Sequence, residues 1–329
     1  MNPFARFFQE LPGLRVAVIG DLMLDTYFFG QVDRMSPEAP VPVVTHQHQE
    51  ERIGGAGNVA LNLRSLGASV HLISLIGQDE PGHLLKQLLE SAHIDTSLLF
   101  VDPLRPTTQK TRVLDRNKQL LRLDKEVTHF IDPAIESAWL GRMEEYIRRE
   151  KPQLLIFEDY NKGVLTKSLI SQLILLCKSL DIVTAVDPKK ENFFAYQGVD
   201  VFKPNWREVS EALDLHAEPN ANLLQEVHRS LHSKLAHHVS LITLSDKGVF
   251  YQDELSSAWL SGHARQVTDV SGAGDTVIAV AAAAYALTRE ASCMANLANV
   301  AGGLVCEQVG TSSITPDQLQ QESIRLGWL

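Results

Sequence analysis

The sequence predicts an α/β protein in which a mostly parallel sheet carries helices on both faces. Five apolar, β-rich runs at 15–20, 70–76, 154–157, 183–186 and 241–244 have the continuous character of strands buried on both sides. Amphipathic stretches at 56–66, 82–92, 134–149, 166–180 and 223–235 separate them, and strands alternating with helices at this spacing build parallel sheets. With 44% hydrophobic and 21% charged residues among 329, the chain has core enough for a large α/β unit. No repeat, low-complexity tract or clear linker interrupts it, so residues 1–329 are expected to form a single domain.

Two segments depart from that pattern. Residues 27–45 contain Val41-Pro42-Val43-Val44 after a proline-rich turn, and residues 107–123 alternate through Thr111-Arg112-Val113-Leu114 and Gln119-Leu120-Leu121-Arg122-Leu123. Both read as antiparallel strands outside the main sheet. So small a sheet cannot bury both of its faces, which predicts that it covers a site or pairs with another subunit.

Residue types suited to chemistry recur at the predicted element ends. Gly20-Asp21 closes the first strand, with Asp25 one helical turn further on. Ligands of open α/β sheets sit beyond the carboxyl ends of strands, where Asp21 could accept hydrogen bonds from a polyol or simply cap the next turn. Gly54-Gly55-Ala56-Gly57-Asn58-Val59-Ala60 opens a helix. Its glycines allow close approach to the backbone and Asn58 offers both donor and acceptor, but the lysine of a Walker loop is absent. Basic residues gather in the outlying strands and loops at Lys110, Arg112, Arg116 and Arg122, then at Lys162 and Lys189. A few of these converging would make an anion pocket.

Further along, Lys203-Pro204-Asn205-Trp206-Arg207-Glu208 puts Asn205 and Glu208 on one face of a starting helix. They form either a pair of hard oxygens for water-bridged magnesium or a capping box. Thr243-Leu244-Ser245-Asp246-Lys247-Gly248-Val249 is either a hairpin or a ledge of amides, with Ser245, for nucleotide phosphates. The most informative stretch is Val267-Thr268-Asp269-Val270-Ser271-Gly272-Ala273-Gly274-Asp275-Thr276, followed by an apolar run to Leu287. A glycine-rich turn feeding a helix presents backbone N–H groups at the positive end of the helix dipole, where phosphate docks. An Asp at the mouth of such a cradle is either a cap or a base for a hydroxyl that attacks phosphorus.

Composition excludes several classes. A formal net charge of −10 argues against nucleic-acid binding, which selects for clustered positive charge. Cys177, Cys293 and Cys306 lack metal-ligand spacing and cannot form a disulfide framework, which fits a reducing compartment. No basic segment followed by a long apolar core opens the chain, and the longest apolar run is too short to span a bilayer. A cytoplasmic protein with no membrane partner is expected.

The order Gly-Asp, Gly-Gly-x-x-Asn, Asn-x-x-Glu, Thr-Leu-Ser-x-x-Gly, Gly-Ala-Gly-Asp resembles that of the ribokinase, or PfkB, family of sugar kinases along essentially the whole chain. Within it, several stretches are similar to bacterial D-glycero-β-D-manno-heptose-7-phosphate kinases. They are Gly20-Asp-Leu-Met-Leu-Asp25, Ser36-Pro-Glu-Ala-Pro-Val-Pro-Val-Val44, Glu51-Arg-Ile-Gly-Gly-Ala-Gly-Asn-Val-Ala60, Arg105-Pro-Thr-Thr, residues 116–124 and Asp159-Tyr-Asn-Lys-Gly163. Asp115-Arg116-Asn117-Lys118 and Asp187-Pro188-Lys189-Lys190 depart from that branch in detail. Some relatives fuse this kinase to a nucleotidyltransferase with a His-x-Gly-His motif, which is absent here, so a stand-alone kinase is expected.

The resemblance implies a ribokinase-like three-layer α/β/α sandwich with a small β-sheet lid from about 27–45 and 105–123, through which two subunits often join. It implies transfer of the ATP γ-phosphate to the anomeric hydroxyl of heptose 7-phosphate, feeding ADP-heptose for lipopolysaccharide. Another sugar, such as fructose 6-phosphate or ribose, and a non-catalytic sugar- or nucleotide-binding regulator are the alternatives. By the same resemblance, Asp275 is the base, with the amides of Gly272, Ala273 and Gly274 stabilising the transferring phosphoryl group. ATP falls to Asn205, Trp206, Arg207, Glu208, Ser245, Gly248 and Asn299, with magnesium held by Asn205 and Glu208 through water. The sugar falls to Asp21, Asp25, Gly55, Asn58, Asp159, Lys162 and Lys189, and its phosphate to Lys110, Arg112 or Arg122.

Overall fold

The computed structural model describes residues 1–116, 118–262, 268–308 and 310–329; Asn117, and Val267 at the head of the glycine-rich turn, lie outside the described residues. Helix α1 (Pro3–Glu10) leads into β1 (Arg15–Gly20), and then come the two strands of a long hairpin, β2 (Leu22–Met35) and β3 (Pro42–Gly55). Helix α2 (Ala56–Ser65) returns to β4 (Ser69–Ile73). Then β5 (Leu75–Gly77), α3 (Glu80–Ser91) and β6 (Phe100–Asp102) precede a second hairpin, β7 (Thr108–Asp115) and β8 (Lys118–Lys125).

Alternation then becomes regular through α4 (Pro133–Glu150), β9 (Leu154–Glu158), α5 (Lys167–Ser179), β10 (Val183–Asp187) and β11 (Val201–Phe202). After α6 (Trp206–Leu213), α7 (Ala221–Leu235) and β12 (Val239–Thr243), a hairpin of β13 (Val249–Gln252) and β14 (Ser257–Leu260) ends the strands. Helices α8 (Ala273–Thr288), α9 (Ala291–Val305) and α10 (Pro316–Arg325) complete the chain.

The main sheet has the order β14-β13-β12-β11-β10-β9-β1-β4. It is parallel from β12 to β4 and antiparallel at the β13 and β14 edge. Successive side chains of a strand leave by opposite faces. Val16 and Val18 of β1 therefore join one core under α2, α8 and α9, while Ala17 and Ile19 join the other with α4, α5 and α7. The alanine-rich α8 is buried along almost its whole length, and its small side chains let it lie close to the sheet and α9.

The run expected as one strand at 70–76 is broken at Ser74, whose buried hydroxyl donates to the Gly20 carbonyl at 2.6 Å. Beyond the break, β5 belongs to a separate two-stranded pair with β6.

The lid is a four-stranded sheet ordered β3-β2-β7-β8. It is larger than expected: its first hairpin covers 22–55 rather than 27–45. Asp25 accordingly sits on a strand and not one helical turn beyond Asp21. The all-antiparallel expectation also fails at the centre, where β2 and β7 run parallel. Between them the chain crosses back into the main body through α2 to β6, and such a crossover, unlike a tight hairpin, brings a strand back parallel. Pairing places Asp25, Lys110 and Arg112 on one lid face with Arg122, while Phe28, Val113, Leu121 and Leu123 fall on the other.

Beneath α7 lies a cluster unrelated to the strand ends. His228 Nδ1 and His237 Nε2 both meet Ser240 Oγ, at 2.9 and 2.6 Å, so the hydroxyl donates to one ring and accepts from the other. Burial, reinforced by neighbouring histidines, depresses the pKa of His228 to about 4 and of His237 to about 3. In the unfolded chain both titrate near 6.5, so acidification below that value protonates the unfolded state preferentially. Their contribution to stability is full above about pH 6.5 and lost as pH falls towards 4 and then 3. Thermal melts between pH 4.5 and 7.5 should fall more steeply for the wild type than for a His228→Gln, His237→Gln variant. Equal slopes would show that the cluster does not govern acid stability.

Candidate active site

Strand ends and two helix starts converge at the carboxyl edge of the main sheet, under the lid. Gly272 adopts φ +76° immediately before α8, and a Cβ there would lie 2.7 Å from Asn58 Nδ2. Only glycine turns the chain there without strain or collision. Helix α8 then starts with Asp275 in its first turn, 3% exposed. Among the amides expected to meet phosphate, that of Ala273 donates weakly to the Val270 carbonyl at 3.2 Å.

Asp275 is held by two donors. Asn58 Nδ2 donates to Oδ2 at 2.6 Å, and the Tyr160 hydroxyl donates to Oδ1 at 2.7 Å. The second glycine motif thus delivers Asn58 to the base directly, and Asn62 one turn later holds the Thr276 hydroxyl at 3.1 Å. Burial raises the Asp275 pKa to about 6, with the two donors and Lys203 opposing the rise and Asp187 adding to it. An ordinary Asp, near 4, would be a poor base at neutral pH; a carboxylate titrating near 6 is better matched to proton abstraction.

Beside it runs a buried charge chain that spacing did not foretell. Lys203 Nζ meets Asp187 Oδ2 at 2.7 Å, Lys189 Nζ meets Asp187 Oδ1 at 2.8 Å, and Lys189 also meets Glu208 Oε1 at 2.7 Å. Burial opposes the charge on Asp187, but the two lysines outweigh it and hold its pKa below the usual value. Glu158 is fully buried, and among the described residues neither carboxylate oxygen has a hydrogen-bond partner. Burial first, then Asp187 and Asp275, push its pKa well up.

Asp21, 1% exposed, accepts the backbone N–H groups of Tyr160 at 2.8 Å, Lys162 at 3.0 Å and Val164 at 3.2 Å. It anchors the loop after β9. Asp159 in that loop accepts from the Tyr196 hydroxyl, Asn192 Nδ2 and the Asn161 N–H, so its carboxylate is enclosed by protein. Gly55 takes φ +59°, and a Cβ on it would strike the Asp21 carbonyl.

Of the basic candidates, Arg112 pairs with Asp25 at 2.6 Å, and Lys110 Nζ lies 5.4 Å from the Tyr160 ring centroid. Arg122 is opposite Arg112 in register, but half exposed and paired with Asp124. Lys162 turns to Glu126 at 2.7 Å. Lys110 and Lys189 thus flank the Tyr160 ring, whose hydroxyl bonds the base, while Asp25 and Arg112 pair on the lid face that Lys110 shares and Arg122 stands at its outer edge.

A cavity of about 370 Å³ adjoins α8, lined by Ser245, Gly248, Asn299, Ala273 and Gly274, with Val270, Val277 and Cys306 on its apolar side. Asn205 and Glu208 form a reciprocal capping box at the start of α6. Asn205, Trp206, Arg207 and Glu208, all expected at the nucleotide, do not line this cavity. Trp206 packs against the core, and Arg207 is 87% exposed and paired with Glu211, because the cap turns the first residues of α6 away.

Sequence reasoning missed Tyr160, Glu158, Asp187 and Lys203. Tyr160 lies inside the Asp159–Gly163 stretch and Lys203 beside the Asn205 motif, but only contact made across the sheet reveals their roles.

The pfkB family of carbohydrate kinases matches this chain over residues 14–318. The bifunctional protein HldE of Methylobacillus flagellatus is 39% identical over 307 residues, covering 93% of this chain and 62% of that protein. HldE of Geobacter metallireducens is 38% identical over 314 residues, covering 95% of this chain and 63% of that one. The chain thus spans less than two thirds of these relatives. In fold it is similar to Escherichia coli phosphofructokinase-2 in complex with potassium, at TM-score 0.78 and 18% identity, with 95% of this chain and 99% of that one covered. Arabidopsis thaliana ribokinase complexed with ribose and ATP shares the fold at TM-score 0.73 and 16% identity, with 94% and 98% covered.

Proposed function

Since the chain belongs to the pfkB family of carbohydrate kinases, and is thereby an ATP-dependent sugar kinase, we propose that its acceptor is the anomeric hydroxyl of D-glycero-D-manno-heptose 7-phosphate. The product would be the 1,7-bisphosphate, a precursor of ADP-heptose. The observation that carries this reading is the position of Asp275, in the first turn of α8 next to the cavity-lining Ala273 and Gly274 and bonded to Tyr160, which Lys110 of the lid approaches. The stretches shared with heptose-phosphate kinases, and the HldE relatives, support the choice of sugar.

As the sugar oxygen bonds to the γ-phosphorus and the bond to the ADP oxygen breaks, Asp275 accepts the hydroxyl proton. The α8 N-terminus, through Gly272, Ala273 and Gly274, stabilises charge on the phosphoryl oxygens, in general the larger contribution. Ser245, Gly248 and Asn299 line the cavity beside α8, which would receive ATP. Asp25, Gly55 and Asn58 receive the sugar, and Asp21 and Asp159 shape the loop beside it.

Asn205 and Glu208 would hold Mg²⁺ through water. Their oxygens already serve the cap and Lys189, which suits outer-sphere contact, and the described residues contain no cluster of three or more metal-binding side chains. When bound, the ion neutralises charge on the phosphates.

An ADP-release assay with Mg-ATP against heptose 7-phosphate, fructose 6-phosphate, ribose and adenosine tests the function. Turnover confined to the heptose phosphate supports it, and turnover of another sugar alone rejects the heptose assignment. Silence on all four in folded protein favours the regulator reading.

Charge reversal at Arg112 or Arg122 should raise KM for the phosphorylated sugar by about 10-fold or more, the scale of a lost charge-assisted hydrogen bond, with little effect on KM for ATP. If neither does so, the phosphate site lies elsewhere, with Lys162 and Lys189 next to be tested. A homodimer through the lid is also proposed: β8 leaves Leu121 and Leu123 more than half exposed on the face opposite Arg112. Light scattering on a Leu121→Ser, Leu123→Ser variant should show monomers where the wild type is dimeric; a monomeric wild type would reject it.

A further inference from the structure

We infer that Tyr160 is a positioning residue for phosphoryl transfer: its hydroxyl fixes the orientation of Asp275 and holds it as a carboxylate, leaving free lone pairs for the sugar hydroxyl. Tyr160 has this role only if the site is the kinase site proposed above. A carboxylate oxygen accepts two hydrogen bonds, so one donor on each, Tyr160 on Oδ1 and Asn58 on Oδ2, orients the group without saturating it.

The surroundings make such donors necessary. Asp275 is buried, and Asp187 at the end of β10 and Glu158 at the end of β9 oppose its charge, while Lys203 after β11 supports it. Lys189 lies across the same space, paired with Asp187. Without both donors the balance tips towards a neutral acid, which cannot accept a proton.

Tyr160 is itself held in place from several directions. Its backbone N–H is bound by Asp21, and the next residue, Asn161, takes φ +54°, which reverses the chain. The ring lies 5.4 Å from Lys110 Nζ of the lid and 5.5 Å from Lys189 Nζ of the main body. Ammonium groups at that range are attracted to an aromatic face. Burial, with Asp275, Glu158 and Asp187 adding to it, pushes the phenol pKa well up, so the hydroxyl remains a donor.

Phenylalanine at 160 keeps the ring, its cationic neighbours and the Asp21 contact, and removes only the donor. In substrate-free protein, carbon NMR titration of the Asp275 carboxyl, assigned by its loss in Asp275→Asn, should show the pKa in Tyr160→Phe about one unit above wild type. With Mg-ATP and heptose 7-phosphate, kcat should fall about 10-fold or more and its acid limb should move to higher pH, with KM for ATP unchanged. A purely structural tyrosine would lower thermal stability without moving the titration or the limb. An Asp275 pKa that stays at its wild-type value overturns the role. If the wild type phosphorylates none of the sugars, the proposed function falls, and the titration still decides whether Tyr160 governs Asp275.

Discussion

Replacing Asp275 with Asn is expected to lower kcat by at least ~10²-fold while leaving ATP binding near normal, the scale of lost acid–base catalysis. The amide accepts no proton, but it matches the carboxylate in shape and can still bond Asn58 and Tyr160. Stability should not suffer. A carboxyl whose folded pKa, about 6, lies above its ordinary value of 3.8 contributes fully below the lower value and loses that contribution as pH rises through the upper one. At neutral pH the wild type therefore bears a cost on the order of 3 kcal/mol that the variant escapes. Steady-state kinetics and a melting curve at pH 7.5 check both halves. Near-wild-type turnover would remove Asp275 from the role of base.

The second large effect is expected on stability, from Asp21→Ala. That change orphans three backbone N–H groups at once, those of Tyr160, Lys162 and Val164. Each buried donor left unsatisfied costs about 1–3 kcal/mol. Some of this is returned, because burial, with Asp159 adding to it, raises the Asp21 pKa to about 6, so its charge is itself costly. The orphaned donors outweigh that relief, and a net loss of about 3 kcal/mol or more is expected. Asp21→Asn, which keeps an oxygen on the loop, should lose less. Denaturant unfolding of both variants measures this; a midpoint for Asp21→Ala equal to wild type would mean that the loop is anchored otherwise. Because the loop carries Tyr160, activity should fall with stability.

Much of the fold was legible because its determinants are local. Strands buried on both faces must be apolar throughout, so β1, β9, β10 and β12 announce themselves, and the helices between them show their amphipathic period. The lid was recognised by its alternation but misjudged in extent and direction. Where β2 begins depends on its pairing with β3 and β7, and the parallel β2–β7 pair joins segments separated by a whole βαβ unit.

The site divides in the same way. Gly272, Asp275, Asn58 and the Asn205–Glu208 pair could be singled out because turn chemistry and helix starts restrict which residues serve there. Tyr160, Asp187, Lys203 and Glu158 could not, since a Tyr after a strand or a Lys before a Pro has many ordinary uses. Arg207 shows the converse: its neighbours in sequence belong to the motif, yet the cap on α6 directs it outward.

By itself the sequence determined the α/β class, the glycine-rich turn and the acidic residue it presents, because these arise from periodicity and from the backbone geometry that only certain residues tolerate. Only the tertiary structure decided that Asp275 titrates near 6, that Asp21 secures a loop and that Tyr160 meets the base. Burial and long-range hydrogen bonding set those properties, and both arise when strand ends far apart in the chain are brought to one edge of the sheet.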